Sequence, residues 1–145
     1  MPPNDKPPLL LVDDESEIIN VLQMMFTQKG QPVIVANSGS AALELLNKRV
    51  NDLTTHYVRA IVSDWMMPNL NGLELLAKVR STEALKGIPF VLMSGNVTKD
   101  ELLAAVRYDL DAVILKPFGV QELQTKINEA VAKREVKSLE RLMQK

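Results

Sequence analysis

Several residue types are scarce in this chain of 145 residues, and each absence excludes a class of function. Cysteine is absent, which excludes disulfides, thiol catalysis and metal sites built on cysteine. Histidine occurs once, so a metal site built from several imidazoles is excluded as well. Lys and Arg number 17 against 18 Asp and Glu, and the net charge of −1 provides no basic field for direct nucleic-acid binding.

Long apolar runs are also missing from the sequence. No segment approaches the roughly 20 apolar residues of a membrane-spanning helix, and residues 1–8 are polar and proline-rich rather than a secretory signal. We therefore expect a cytoplasmic location without a membrane segment. The length and the 46% share of hydrophobic residues fit one folded domain. We expect this domain at residues 9–132, between a disordered tail at 1–8 and a helical extension at 133–145.

Short apolar runs alternate with longer amphipathic segments along the chain. The runs predict strands at residues 9–12, 33–36, 58–63, 89–93 and 112–115. Helical spacing of apolar residues predicts helices at 16–29, 41–48, 73–80 and 98–108, and a fifth from about 120 that has no stop signal. This alternation predicts an α/β fold, a doubly wound five-stranded parallel sheet with helices on both faces.

Polar residues follow four of the predicted strands. Asp13 and Asp14 follow the first strand, Asp64 the third, Ser94 the fourth and Lys116 the fifth. Each of these residues alone has an ordinary structural interpretation, such as a helix cap or a turn. Their joint placement is more informative, because the carboxyl ends of parallel strands meet at one edge of the sheet, where ligands bind.

Three carboxylates at one edge of a sheet repel one another and favour a cation. Two unit charges about 4 Å apart repel by about 4 kcal/mol at an effective dielectric constant of about 20. Oxygen ligands alone suit Mg²⁺ or Mn²⁺ better than Zn²⁺. The hydroxyl of Ser94 and the ammonium of Lys116 suit phosphate oxygens. A carboxylate nucleophile at this site would form an aspartyl phosphate.

Four ordered segments of the chain resemble the receiver domains of response regulators. They are LLLVDDE at 9–15, IVSDWMMPNLNG at 61–72, VLMSGN at 91–96 and LKPF at 115–118. The resemblance covers residues 9 to about 132, and the stretch 63–76 is especially similar to chemotaxis-type single-domain receivers. It implies a flavodoxin-like receiver fold and a role in two-component phosphorelay signalling rather than as a turnover enzyme.

The resemblance implies a metal site and a phosphoacceptor. Asp64 is expected to accept a phosphoryl group from a phosphohistidine on a sensor histidine kinase or a histidine phosphotransfer protein. Asp13, Asp14, Asp64 and the backbone carbonyl of Met66 are expected to bind Mg²⁺, for which Mn²⁺ is a substitute.

Further residues are implied to bind the phosphoryl group and to switch the domain. Ser94, Lys116 and the amides of Met66 and Gly95 are expected to contact its oxygens. Asp64, Ser94 and Lys116 would together promote the domain's own phosphorylation and dephosphorylation. Ser94 and the residue at position 113 form the switch.

Three departures from common members of the family accompany this resemblance. Position 113 is usually aromatic but is Val113 here, so output is expected to rely on backbone and loop movement. Asp109 stands where glycine is common, and Asp tolerates the left-handed region better than most residues. The loop before the third strand is longer than usual. The Lys116–Pro117 peptide is expected to be cis.

The expected partners are the phosphoryl donor and an output protein, or an output domain outside this chain. The readout surface is expected on helix four, strand five and helix five. A homodimer through that face is left open. For the C-terminal helix, where Val136, Leu139 and Met143 recur at helical spacing, a dimer helix, a linker to an output domain and simple continuation of helix five are all left open. Trp65 is expected to be partly exposed and to report metal binding, and His56 to be solvent-exposed.

Other functions compete with that of a phosphoacceptor. A phosphohydrolase with an aspartyl nucleophile needs a second Asp two residues later as general acid, and that position holds Met66. A degenerate receiver that serves only as a scaffold usually lacks an acid or the lysine, and both are present. Flavin binding is disfavoured, because no loop rich in Gly, Ser or Thr follows the first strand.

Overall fold

The computed structural model describes residues 6–51 and 57–144, in which strands and helices alternate strictly. The strands are β1 (Leu9–Val12), β2 (Val33–Ala36), β3 (Ala60–Asp64), β4 (Phe90–Ser94) and β5 (Ala112–Leu115). The helices are α1 (Ser16–Gln28), α2 (Gly39–Asn51), α3 (Gly72–Ser81), α4 (Lys99–Arg107) and α5 (Val120–Met143). The predicted order of elements is therefore confirmed.

All neighbouring strands are parallel, and the sheet order is β2-β1-β3-β4-β5. The chain moves outward from β1 to β2 and then returns past β1 to β3, so the strand order reverses between β1 and β3. A doubly wound sheet binds its ligands outside the carboxyl ends of the strands at such a reversal. The register aligns Val12 with Ser63 and Asp64 with Met93, so the ends of the central strands lie level.

Helices cover both faces of the sheet and create two apolar layers. Leu9 and Leu11 pack with residues of α1 and α5, whereas Leu10 and Val12 pack with residues of α2, α3 and α4. Every residue of β1, β3 and β4 is buried. This double coverage explains why these strands are continuous apolar runs rather than alternating ones. Within the described ranges, no helix is both long enough and apolar enough to cross a bilayer.

Several predicted boundaries differ from the structure. The third strand begins at Ala60 and ends at Asp64 rather than covering 58–63, because Asp64 still pairs with Met93. Helix α2 is longer at both ends than predicted. Helix α3 begins at Gly72, one residue early, because Asn71 and Glu74 form a capping box that was not predicted. The predicted start of α4 is confirmed, with a capping box at Thr98.

Local backbone predictions can be compared only where the chain is described. Asp109 lies in the left-handed region at φ 63°, and the Lys116–Pro117 peptide is cis, both as expected. His56 and most of the lengthened loop lie outside the described residues, as do the first five residues of the predicted tail.

A cluster of charged side chains joins the second half of α5 to the edge of the sheet opposite Asp64. The buried carboxylate of Asp111 accepts hydrogen bonds from Arg80 at 2.8 Å, from Arg134 at 2.7 Å and from the Phe90 amide at 2.8 Å. Burial, followed by the charge of Arg134, lowers the pKa of Arg80 to about 10, so its guanidinium stays charged at neutral pH.

Asp109 extends this cluster along α5. Its carboxylate pairs with Arg134 at 2.9 Å and also with Lys137. Burial raises the pKa of Asp109, but the hydrogen bonds from Lys137 and Arg134 outweigh this effect and lower the pKa to about 2. The cluster (Arg80, Asp109, Asp111, Arg134 and Lys137) therefore holds α5 against the turn before β5.

Removing the central carboxylate of this cluster should destabilise the fold. Asp111→Ala leaves two buried guanidinium groups without their shared partner, and breaking a buried ion pair costs about 3–5 kcal/mol. Urea unfolding should show a loss of that size. Glu83→Gln, which breaks the exposed pair with Lys86, is the control and should cost less than about 1 kcal/mol. Equal losses for both variants would contradict the assigned role of Asp111.

Candidate functional site

Carboxylates converge at the carboxyl ends of β1 and β3. Asp13 directly follows β1, and Asp64 is the last residue of β3. One oxygen from each of Asp13, Asp14 and Asp64 lies within 4.8 Å of the others. Asp13 and Asp64 are buried, whereas Asp14 is exposed. The structure thus brings together the three acids that the sequence predicts as metal ligands.

Lys116 reaches the same cluster from the end of β5. Its Nζ donates a hydrogen bond to Asp64 Oδ1 at 3.2 Å. Asp13 Oδ2 lies 3.8 Å from the same Nζ, which is too far for a hydrogen bond but close enough for attraction between the charges. One partly buried cation therefore faces two buried carboxylates.

Of the two buried carboxylates at this site, that of Asp13 has the less well compensated negative charge. Its Oδ1 accepts a hydrogen bond from the Glu15 amide at 2.9 Å. Its Oδ2 is buried and has no hydrogen-bond partner among the described residues. Burial, and then the charge of Asp64, raise the pKa of Asp13 from 3.8 to about 6, although the Glu15 amide and Lys116 act in the opposite direction. The carboxyl group is thus ionised at neutral pH at an energetic cost.

The residues predicted to contact the phosphoryl group lie at the same edge of the sheet as the acids. Ser94 is the last residue of β4, and its hydroxyl donates to the Asn96 carbonyl at 2.8 Å rather than to any acid of the cluster. The Lys116 amide donates to the Ser94 carbonyl at 2.7 Å and ties the ends of β4 and β5 together. Gly95 and Met66 lie in the neighbouring loops, and the Met66 side chain is 71% exposed.

A family model decides the kind of domain that carries this site. Residues 9–128 match the response regulator receiver domain. The chain belongs to the response regulator receiver domain family. Receiver domains are signalling domains, and the phosphoacceptor role belongs to this family.

Curated relatives agree with this assignment. A chemotaxis protein CheY homolog of Campylobacter jejuni is 32% identical over 124 residues, which cover 85% of this chain and 91% of that protein. Chemotaxis protein CheY1 of Helicobacter pylori is 32% identical and covers 82% of this chain and 92% of its own length. Response regulator SaeR of Staphylococcus aureus is 31% identical, but the match spans only 48% of that longer protein.

Solved structures agree with the fold. Chemotaxis protein CheY4 of Vibrio cholerae superimposes with a TM-score of 0.76 at 22% identity, covering 86% of this chain and 98% of that one. A response regulator receiver domain protein from Clostridium thermocellum gives a TM-score of 0.77 at 21% identity, covering 90% and 98%. The flavodoxin-like receiver fold expected from the sequence is therefore confirmed.

The burial of Trp65 differs from the expectation for this receiver domain. The residue was expected to be partly exposed, but only 3% of it is accessible, and it packs into the apolar layer on the α3 side of the sheet. Its amide donates to the Met93 carbonyl and its carbonyl accepts from the Gly72 amide, so the chain folds inward directly after Asp64. A buried indole next to the acidic cluster remains a suitable fluorescence reporter of this site.

Two residues that shape the backbone at Asp64 were not predicted from the sequence. The buried Ser63 hydroxyl donates to the Asp64 carbonyl at 2.9 Å. Gly72 packs so closely that a Cβ there would lie 2.3 Å from the same carbonyl, which leaves room only for glycine. The sequence shows that residue 72 is glycine. Why glycine is required there becomes apparent only when α3 is placed against β3.

The donor atoms of this receiver domain fit a hard divalent cation. The cluster contributes only carboxylate oxygens, and Asp13 Oδ2 is a buried anionic oxygen without a hydrogen bond among the described residues. An oxygen ligand set with negative charge suits Mg²⁺ or Mn²⁺. A bound cation would also remove the repulsion between Asp13 and Asp64.

Relieving this repulsion by substitution should stabilise the metal-free protein. At pH 7, Asp13→Asn should raise the free energy of unfolding by about 1–3 kcal/mol, because one ionised buried carboxylate is removed. Asp14→Asn, at an exposed position, is the matched control and should have a smaller effect. Mg²⁺ should raise the melting temperature of the wild type but not of Asp13→Asn.

The same substitution should change the pH dependence of stability. A raised pKa favours the protonated carboxyl group, so metal-free wild type should lose stability as the pH rises from the ordinary pKa of 3.8 through about 6. Asp13→Asn should lack this part of the slope. Parallel curves of unfolding free energy against pH for the two proteins across this range would contradict the raised pKa of Asp13.

Proposed function

We propose that this receiver domain accepts a phosphoryl group on Asp64 in a Mg²⁺-dependent reaction. The observation that supports this most is the contact of Asp64 with Lys116 inside the cluster of three acids. Asp13, Asp14, Asp64 and the Met66 carbonyl would hold the ion, which supplies charge neutralisation for the transferring group when bound. The proposed donor is a phosphohistidine on a sensor histidine kinase or a histidine phosphotransfer protein.

The chemistry at Asp64 is a single displacement at phosphorus. One carboxylate oxygen attacks, a P–O bond forms, and the P–N bond to the donor imidazole breaks, with its electron pair leaving on nitrogen. The buried position of Asp64 limits water around the nucleophile. Lys116, already at 3.2 Å from Oδ1, would remain beside the acceptor and pair with a phosphoryl oxygen.

Phosphorylation would bias the domain between two states. The new group offers oxygens to Lys116, to the Ser94 hydroxyl and to the amides of Met66 and Gly95. Ser94 would have to exchange its hydrogen bonds to the Asn96 backbone for one to the phosphoryl group. That exchange moves the loop after β4, which leads directly into α4.

The proposed readout surface comprises α4, β5 and α5. Leu103, Val106 and Leu115 are exposed apolar side chains on its elements, so it can bind an apolar partner surface. Val113 is half-buried and packs against the core, and it has no ring to rotate. We therefore propose that loop and backbone movement, rather than an aromatic rotamer, transmits the change to an output protein or output domain.

Labelling with a small phosphodonor tests the phosphoacceptor directly. Wild-type protein incubated with acetyl phosphate and Mg²⁺ should gain the mass of one phosphoryl group, because Asp64 is the nucleophile. Asp64→Asn should gain nothing, whereas Asp100→Asn, at an exposed position on α4, should label as the wild type does. Intact mass spectrometry measures all three proteins.

Other outcomes of that experiment separate the competing functions. Equal labelling of Asp64→Asn would contradict the assignment of Asp64 as the acceptor. An unmodified wild type would contradict the proposal and favour a binding scaffold. Steady release of phosphate from a phosphomonoester would favour a phosphohydrolase, although Met66 occupies the position of the general acid that such an enzyme needs.

Lys116 should affect phosphoryl transfer without being needed for the metal. Lys116→Ala should lower the rate of labelling by about a hundredfold or more, the scale on which loss of one preorganised donor acts. Mg²⁺ binding, followed by Trp65 fluorescence, should persist because all carboxylates remain. Lys126→Ala, which breaks only a surface pair with Glu129 on α5, is the control. Unchanged labelling of Lys116→Ala would contradict the proposed role of the ammonium.

A further inference from the structure

The second half of α5 presents apolar side chains away from the domain. The face of α5 that packs on the sheet carries Leu123, Ile127, Ala130 and Arg134. On the opposite side of the helix, at a spacing of four, three and four residues, lie Ala132, Val136, Leu139 and Met143. We call these four residues the outer stripe. All four are exposed, and the accessible fraction of the residue is 53% for Val136, 60% for Leu139 and 84% for Met143.

The spacing of the outer stripe is that of a coiled-coil seam. Alternating steps of four and three residues keep a seam on one side of a helix and let it face a second helix. The outer stripe covers about 16 Å of helix. Towards the start of α5 the same side of the helix carries Thr125 and Glu129, so the apolar seam is confined to the second half of the helix.

This part of α5 is held in place before any partner binds. Arg134 and Lys137 connect it to Asp109 and Asp111 through the charged cluster described above. A short isolated helix in water is marginally stable, but this one continues from a packed helix and is tied to the domain. Preorganisation of this kind lowers the cost of association.

Charges beside the outer stripe select the direction of a partner helix. If two copies paired in parallel, Glu135 of one would face Glu140 of the other, and this repulsion would occur twice by symmetry. If they paired antiparallel, Glu140 would face Lys133, and Glu135 would face Leu142. In the structure the ammonium of Lys133 donates to the Asp111 carbonyl at 2.8 Å, so its side chain would turn outward to face Glu140 of the other copy.

We propose that the outer stripe binds the outer stripe of a second copy of this chain in antiparallel orientation. Val136 of one copy then packs against Leu139 of the other, and Ala132 packs against Met143. The charge pattern complements itself in this arrangement and in no parallel one with the same seam. The contact is independent of Asp64 chemistry, so it stands or fails separately from the proposed phosphoryl transfer.

Disulfide trapping tests the pairing cleanly, because the chain contains no cysteine. Full-length Val136→Cys and Leu139→Cys variants are mixed and oxidised, and the products are resolved on a non-reducing gel. Antiparallel pairing predicts that the mixed dimer dominates, since a disulfide needs Cβ atoms about 4 Å apart. Gln121→Cys, exposed on the same helix outside the stripe, is the control for random collision.

Other trapping patterns would overturn the proposal. Cross-linking of each variant mainly to itself would indicate parallel pairing. Cross-linking no faster than that of the Gln121→Cys control would indicate that the outer stripe does not bind a second copy and is available to a different partner.

Charge reversal provides a second readout that does not use cysteine. In sedimentation equilibrium, Glu140→Lys should weaken self-association at least about threefold, because the introduced ammonium would then face Lys133 of the other copy. Glu135→Lys should change it little, because its neighbour is Leu142. Parallel pairing predicts that both variants strengthen association instead. A wild type that stays monomeric as its concentration is raised would also contradict the proposal.

Discussion

The repulsion between two buried carboxylates, Asp13 and Asp64, is the constraint around which this receiver domain is arranged. Strands β1, β3 and β5 are parallel, and their carboxyl ends direct two acids and one ammonium to the same small volume. Burial, and then the charge of Asp64, raise the pKa of Asp13, and Lys116 compensates only part of the negative charge. The Oδ2 atom of Asp13 also lacks a hydrogen bond among the described residues. A site in this state favours a divalent cation and, in turn, a group whose oxygens the cation and the lysine can share.

The sequence predicted the fold and the location of the site because both depend on coarse patterns. Continuous apolar runs between amphipathic segments determine a parallel sheet, and the residue after each run then lies at a known edge. The features that were not predicted depend on tertiary packing. The burial of Trp65 follows from the hydrogen bond between its carbonyl and the Gly72 amide, and the hydrogen bond from Ser63 to the Asp64 carbonyl follows from rotamer choice within a buried strand. Neither has a periodic signature.

The two edges of the sheet differ in how completely their charged groups are paired. At the carboxyl edge, charge is left uncompensated and the Ser94 hydroxyl is hydrogen-bonded to the Asn96 backbone of its own loop, so this edge can respond to a ligand. At the opposite edge, the carboxylate of Asp111 is paired with Arg80 and Arg134, and the ion pairs of Asp109 with Arg134 and Lys137 continue this compensation along α5. The turn at Asp109, between α4 and β5, belongs to both the proposed readout surface and the charged cluster.

The central claim is that the acidic cluster is a cation site assembled by the sheet. The most direct measurement is a crystal structure of the protein soaked with Mn²⁺, with data collected at a wavelength where manganese scatters anomalously. The account predicts one strong anomalous peak between Asp13 and Asp64, with Asp13 Oδ2 among the ligands. An absent peak, together with Lys116 moved into the space between the two carboxylates, would contradict it.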